Sequence, residues 1–115
     1  MQELTSEEFK TFIKAKPVAA ILFDAPWDVS YRPIVRGNML QAEKLHGHHA
    51  QFGEVDCDKF PELAKSMQIL NIPFVAYFRD GKLVAGLIGA HQNVSARLER
   101  VSLGCTIGYK DGNDK

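Results

Sequence analysis

The stretch of this 115-residue chain best placed to carry chemistry is Trp27-Asp28-Val29-Ser30-Tyr31-Arg32. The apolar run Val18-Ala19-Ala20-Ile21-Leu22-Phe23 precedes it and a periodic segment follows, so it falls where a central strand passes into a helix N-terminus. Open α/β sheets gather ligands and reacting groups at that edge. A carboxylate at Asp28 gains from the positive end of the helix dipole. Hydrolysis or group transfer by Asp28 with Ser30 and Tyr31 also needs a general base, and none stands in sequence contact. The plain alternative is that Asp28 or Ser30 simply caps the helix.

A second chemical corner is Asn71-Ile72-Pro73, which opens the apolar strand Phe74-Val75-Ala76-Tyr77-Phe78 before the turn at Asp80-Gly81. With Trp27 at the first corner, Ile72-Pro73 before an aromatic strand and Phe78-Arg79-Asp80-Gly81-Lys82 as a hairpin turn, the chain resembles a thioredoxin over residues 4–103. The resemblance implies an α/β thioredoxin-like fold: a mixed central sheet of four to five strands, about four flanking helices, and a cis-Pro before the fourth strand. It also implies a groove for an extended polypeptide at Trp27, Ile72, Pro73, Gly89 and Ala90, with Asp28, Ser30, Tyr31 and His91 on its rim. A cis bond at Pro73 would leave the Ile72 backbone free to pair with a partner strand. Each piece has a structural reading as well, since the Trp can merely pack, the Pro shape the core and Gly89 permit a bulge.

Where thioredoxins place two cysteines two residues apart, this chain has Asp28 and Tyr31. Where they bury an aspartate in the preceding strand and pair it with a lysine in the next, matching from Trp27 and Asp58 gives Leu22 and Glu54. Thiol and proton relay are both missing. The resemblance without its reactive parts implies a redox-inactive member that binds a protein or peptide as an adaptor or chaperone-type module. The alternative is a thiol-dependent oxidoreductase using a single cysteine, Cys57 or Cys105, in thiol–disulfide exchange.

Several elements must position these residues. Leu4-Thr5-Ser6-Glu7-Glu8-Phe9 is a helix start, with Thr5 as cap, Glu8 as capping-box partner and Leu4 stapled to Phe9; Pro17 ends the helix. Val18 to Phe23, apolar throughout, suits a strand buried on both faces. Val35, Met39, Ala42 and Leu45 form the apolar face of a second helix, with Pro33 in its first turn and Gly47 after its end. Gln51 to Asp58 reads as the next strand, and a short helix from Asp58 or Lys59 runs through Met67. Strand, helix, strand makes a parallel unit, and Phe74–Phe78 with Leu83–Ile88 an antiparallel hairpin. Val94, Leu98 and Val101 define a last helix capped by Asn93 and stopped by Gly104. Residues 1–104 read as one thioredoxin-like domain and 105–115 as a polar, flexible tail held only by Ile107 and Tyr109.

Composition narrows the function. The chain is 45% apolar and carries 14 basic and 14 acidic residues without a charged run, which argues against nucleic acid and against an anionic membrane as partner. The N-terminus has no basic and apolar leader pattern, so a cytoplasmic location is expected, as a monomer or weak dimer. Cys57 and Cys105 show no metal-type spacing, and Cys57 reads as a buried, unreactive thiol. His46-Gly47-His48-His49 is better explained as a solvated helix end than as a metal site. No metal or cofactor is expected. Asn93-Val94-Ser95 fits a glycosylation acceptor, yet Asn93 as a helix cap accounts for it.

Overall fold

A computed structural model describes residues 1–104. In chain order the elements are β1 (Gln2–Glu3), α1 (Ser6–Phe12), β2 (Val18–Asp24), α2 (Arg32–His46), β3 (Ala50–Asp56), α3 (Pro61–Ser66), β4 (Phe74–Arg79), β5 (Lys82–Ile88) and α4 (Val94–Ser102). They build one five-stranded sheet in the order β1-β3-β2-β4-β5. β1 and β2 run parallel to β3, whereas β4 is antiparallel to both β2 and β5, so the sheet is mixed.

Every residue of β2 is buried, and side-chain alternation divides them between two cores. Val18, Ala20 and Leu22 pack with Val35, Met39 and Ala42 of α2 and with Val94, Leu98 and Val101 of α4. Ala19, Ile21 and Phe23 pack on the other face with Phe9, Ile13, Phe74 and Phe78, where Phe9 stacks edge-on against Phe23 and Phe78. α2 and α4 therefore cover one side of the sheet and α1 and α3 the other. This is the thioredoxin-like architecture the sequence resemblance implies, and the Ile72–Pro73 bond is cis.

Local signals explain the element ends. Thr5 accepts the Glu8 N–H at 3.1 Å while the Glu8 carboxylate accepts the Thr5 N–H at 3.0 Å, closing the expected capping box. Asn93 caps α4 through the Ala96 N–H. Asp80 and Gly81, both at positive φ, form the hairpin turn.

The structure departs from the sequence reading at four places. β1 was not expected; Gln2 and Glu3 pair beside Gly53 and Glu54 across a separation no local pattern records. Leu45 is 61% exposed rather than on the core face, because the last turn of α2 has outrun the core it covers. α3 begins at Pro61, not at Asp58 or Lys59, because the Asp56 carboxylate accepts both their N–H groups and holds them in a turn. The cap position of α2 is Tyr31 rather than Asp28 or Ser30. Pro33 does lie in the first turn of α2. Residues 105–115, with Cys105 and the expected tail, lie outside the described residues.

Candidate functional site

Three loops meet at one edge of the sheet. β2 and β4 pair as far as Phe23 and Phe74, and β4 and β5 from Phe74 to Ile88. The segment after β2, the Ile72–Pro73 bond before β4 and Gly89 after β5 are therefore neighbours. The Gly89 N–H donates to the Pro73 carbonyl at 2.9 Å, tying two of the loops together. Gly89 has φ +116°, a conformation that favours glycine.

The groove is open and two aromatic side chains stand over it. Trp27 is 65% and Tyr31 54% exposed, while Ile72 is half-buried and Pro73 buried. The Trp27 indole N–H reaches the Asp58 carboxylate at 3.4 Å. No backbone hydrogen bond to Ile72 forms among the described residues, which leaves both its polar groups to solvent or a partner. Ala90 differs from the expectation for a contact residue. Its side chain is buried and its carbonyl is taken by the Asn38 amide at 3.0 Å, so it belongs to the floor. Ser30 and His91 are exposed. Beside the groove, Ile69, Leu70, Phe74, Leu87 and Ile88 help line an apolar cleft of about 400 Å³.

Behind the rim lies a buried pair of carboxylates. One oxygen of Asp28 accepts the Tyr31 N–H at 3.2 Å, so this side chain does hold the turn that leads into α2, although from three residues back rather than as the formal cap. Its other oxygen, and one oxygen of Asp24, are buried without a hydrogen-bond donor among the described residues. The two carboxyls lie within hydrogen-bonding reach of each other. Burial, and next the Asp28 carboxyl, push the Asp24 pKa up to about 7, against the opposing pull of the Ala25 N–H and the Arg32 guanidinium. The sequence reading passed over Asp24. It follows Leu22 by two residues and so shares its face, the signal that would have found it.

Leu22 is fully buried, and the place of the lysine expected of thioredoxins is held by Glu54. Glu54 takes a two-pronged bond from Arg36, Nε and Nη2 each at 3.0 Å, with Arg32 Nη2 at 3.7 Å. Arg32 and Arg36 stand one turn apart on α2, which brings both guanidiniums to the same carboxylate. Glu54 is thereby tied into an ion pair that joins β3 to α2. Cys57, half-buried after β3, has its thiol pushed up to about 11, mainly by burial and then by Asp24, Asp56 and Asp58. Among the described residues no group of His, Cys, Asp and Glu side chains is arranged to hold a metal ion, His46, His48 and His49 with their edge-to-face rings included.

Comparisons with known proteins agree with this fold. The thioredoxin family model matches residues 1–100. The chain is 27% identical over 86 residues to Protein disulfide-isomerase EUG1 of Saccharomyces cerevisiae, covering 74% of this chain and 16% of that protein. It is 24% identical over 102 residues to Glutaredoxin 3 of Danio rerio, covering 85% of this chain and 30% of that one. The chain thus spans under a third of either relative. Among solved structures, oxidised mitochondrial thioredoxin 3 of Saccharomyces cerevisiae superposes with a TM-score of 0.75 at 24% identity, covering 90% of this chain and 94% of the other.

Proposed function

The chain belongs to the thioredoxin family, and from that premise we propose that it is a redox-inactive member that docks an extended segment of protein or peptide, as an adaptor or chaperone-type module. The observation that carries this reading is the pairing of an open groove with a corner that holds no sulfur. Trp27, the unpaired Ile72 backbone and Gly89 stand together at the sheet edge, while Asp28 and Tyr31 occupy the thiol positions. A carboxylate keeps the favourable charge at the helix N-terminus but cannot form a disulfide.

The rival, exchange through one thiol, draws on the names of the redox relatives. Cys57 lends it little, because a thiol raised to about 11 is almost wholly protonated at neutral pH. Reduction of insulin disulfides tests the choice: the protein should give no rate above the dithiothreitol background, and a rate that survives Cys57→Ser with Cys105→Ser would overturn the sulfur-free corner. For docking, amide shifts at Trp27, Ile72 and Gly89 should move together when extended peptides are titrated. Shifts confined to another face would remove the groove from the reading.

A further inference from the structure

Asn93, Ala96, Arg97 and Arg100 fall at i, i+3, i+4 and i+7, a stripe beside α4 and along it, offset from the core stripe of Val94, Leu98 and Val101. It forms one wall of a cleft of about 420 Å³ whose other wall includes Leu87, Ile88 and His91. Among the described residues no acidic side chain lines this cleft. Neither Arg97 nor Arg100 forms an ion pair among the described residues. Glu99, two positions from one and one from the other, points off their face. In a chain of net charge zero, two guanidiniums and an imidazole are thus gathered without a counter-charge from the described residues. The place adds to the point: Ile88 ends β5 and Gly89, tied to Pro73, follows at once, so the cleft continues the groove.

We propose that this cleft receives an acidic flank of the polypeptide held in the groove, with Asp or Glu side chains of the partner meeting Arg97 and Arg100. The inference rests on the groove reading and adds the partner's chemistry to it. Charge complementarity favours carboxylates, and the apolar wall of Leu87 and Ile88 fits a polypeptide that is apolar where it crosses Ile72–Pro73 and acidic just beyond. Nucleic acid fits worse, since two arginines and a histidine neutralise too few phosphates to hold a polyanion.

An array of extended peptides with a fixed apolar pair and randomised flanks tests this directly. The protein should retain peptides with Asp or Glu on one flank roughly fivefold better than their Asn or Gln counterparts, a gain suited to partly exposed ion pairs. The preference should shrink at high salt. Arg97→Gln with Arg100→Gln should erase it while apolar retention persists, and Arg97→Glu with Arg100→Glu should turn it towards Lys. Trp27→Ala should instead weaken retention of all peptides and leave the acidic preference intact. Equal retention of acidic and neutral flanks, or a preference unchanged in the Gln double variant, overturns the cleft and leaves the groove standing. No retention of any class overturns both, and tighter retention of a single-stranded oligonucleotide overturns the polypeptide assignment.

Discussion

Asp24 closes a strand with no wet face; of its two oxygens one accepts the Ala25 N–H while the other finds no donor among the described residues, with the Asp28 carboxyl within reach of the group. Two such groups cannot both be charged cheaply, and a proton held between them relieves the repulsion. Unfolding returns the Asp24 carboxyl from about 7 to its ordinary value near 4. Between those values the folded chain binds more protons than the unfolded one, so stability is fully present below pH 4 and is lost as pH rises through 7. Urea unfolding should lose about 2–3 kcal/mol between pH 5 and pH 8 from this source. Asp24→Asn, which stays neutral beside Asp28 and Arg32, should flatten the profile, and an unchanged slope would show that the pair holds no proton. Cys57 offers a second check. Its raised pKa should make it react with a disulfide reagent at pH 7 on the order of 100-fold more slowly than free cysteine, measured in a Cys105→Ser background. Asp24 was hidden from the sequence because the run before it ends in Phe23, and a single polar residue after six apolar ones reads as the strand's exit. Its two-residue spacing from Leu22 puts it on the same face, but that it ends beside Asp28 depends on how the loop after β2 turns back, which spacing does not record.

Elements bounded by short-range chemistry were legible, and those bounded by pairing were not. The Thr5 capping box, the Asn93 cap, the Asp80-Gly81 turn and the two-faced burial of β2 each follow from residues within a few positions of one another. β1 depends on meeting β3, and the start of α3 on where the Asp56 carboxylate points, so neither could be read from spacing. The same division sets the energetics. Thr5→Ala removes the hydroxyl acceptor of the Glu8 N–H at an exposed helix end and should cost about 1 kcal/mol in chemical unfolding. The Glu54 cluster couples α2 to β3 and should cost more. Arg36→Ala leaves the largely buried Glu54 carboxylate to Arg32 at 3.7 Å, a loss of roughly 1–2 kcal/mol. Adding Arg32→Ala strands that carboxylate and should bring the total to about 3 kcal/mol or more. A total that merely doubled the Thr5→Ala loss would mean that Glu54 is paired for geometry rather than stability.

At the scale of the whole molecule, the sheet and its two helical layers hold the corner in place whatever atom the corner carries. β2 is fixed by β3 on one side and β4 on the other, and α2 is fixed by Val35, Met39 and Ala42, none of which touches the question of sulfur. The scaffold should therefore accept the missing thiols. The Asp28 side chain already accepts the Tyr31 N–H at 3.2 Å, the same donor a thiolate at position 28 would use, and the N-terminus of α2 would lower the pKa of a thiol there. Asp28→Cys with Tyr31→Cys should form an intramolecular disulfide on mild oxidation, seen as the loss of two hydrogens by mass in a Cys57→Ser, Cys105→Ser background. Turnover should still fall short of a thioredoxin's, because Leu22 and Glu54 stand at the two relay positions and leave only the displaced Asp24 carboxyl, among the described buried groups, to carry a proton. Installing the relay pair through Leu22→Asp with Glu54→Lys should raise insulin reduction by about 10²-fold, the scale of one general acid–base group, provided circular dichroism shows the pair folds despite leaving Arg36 unpaired. If the disulfide never closes, the corner departs from the family's geometry as well as from its chemistry, and the loss of sulfur would be the consequence of a changed backbone rather than a substitution on a kept one.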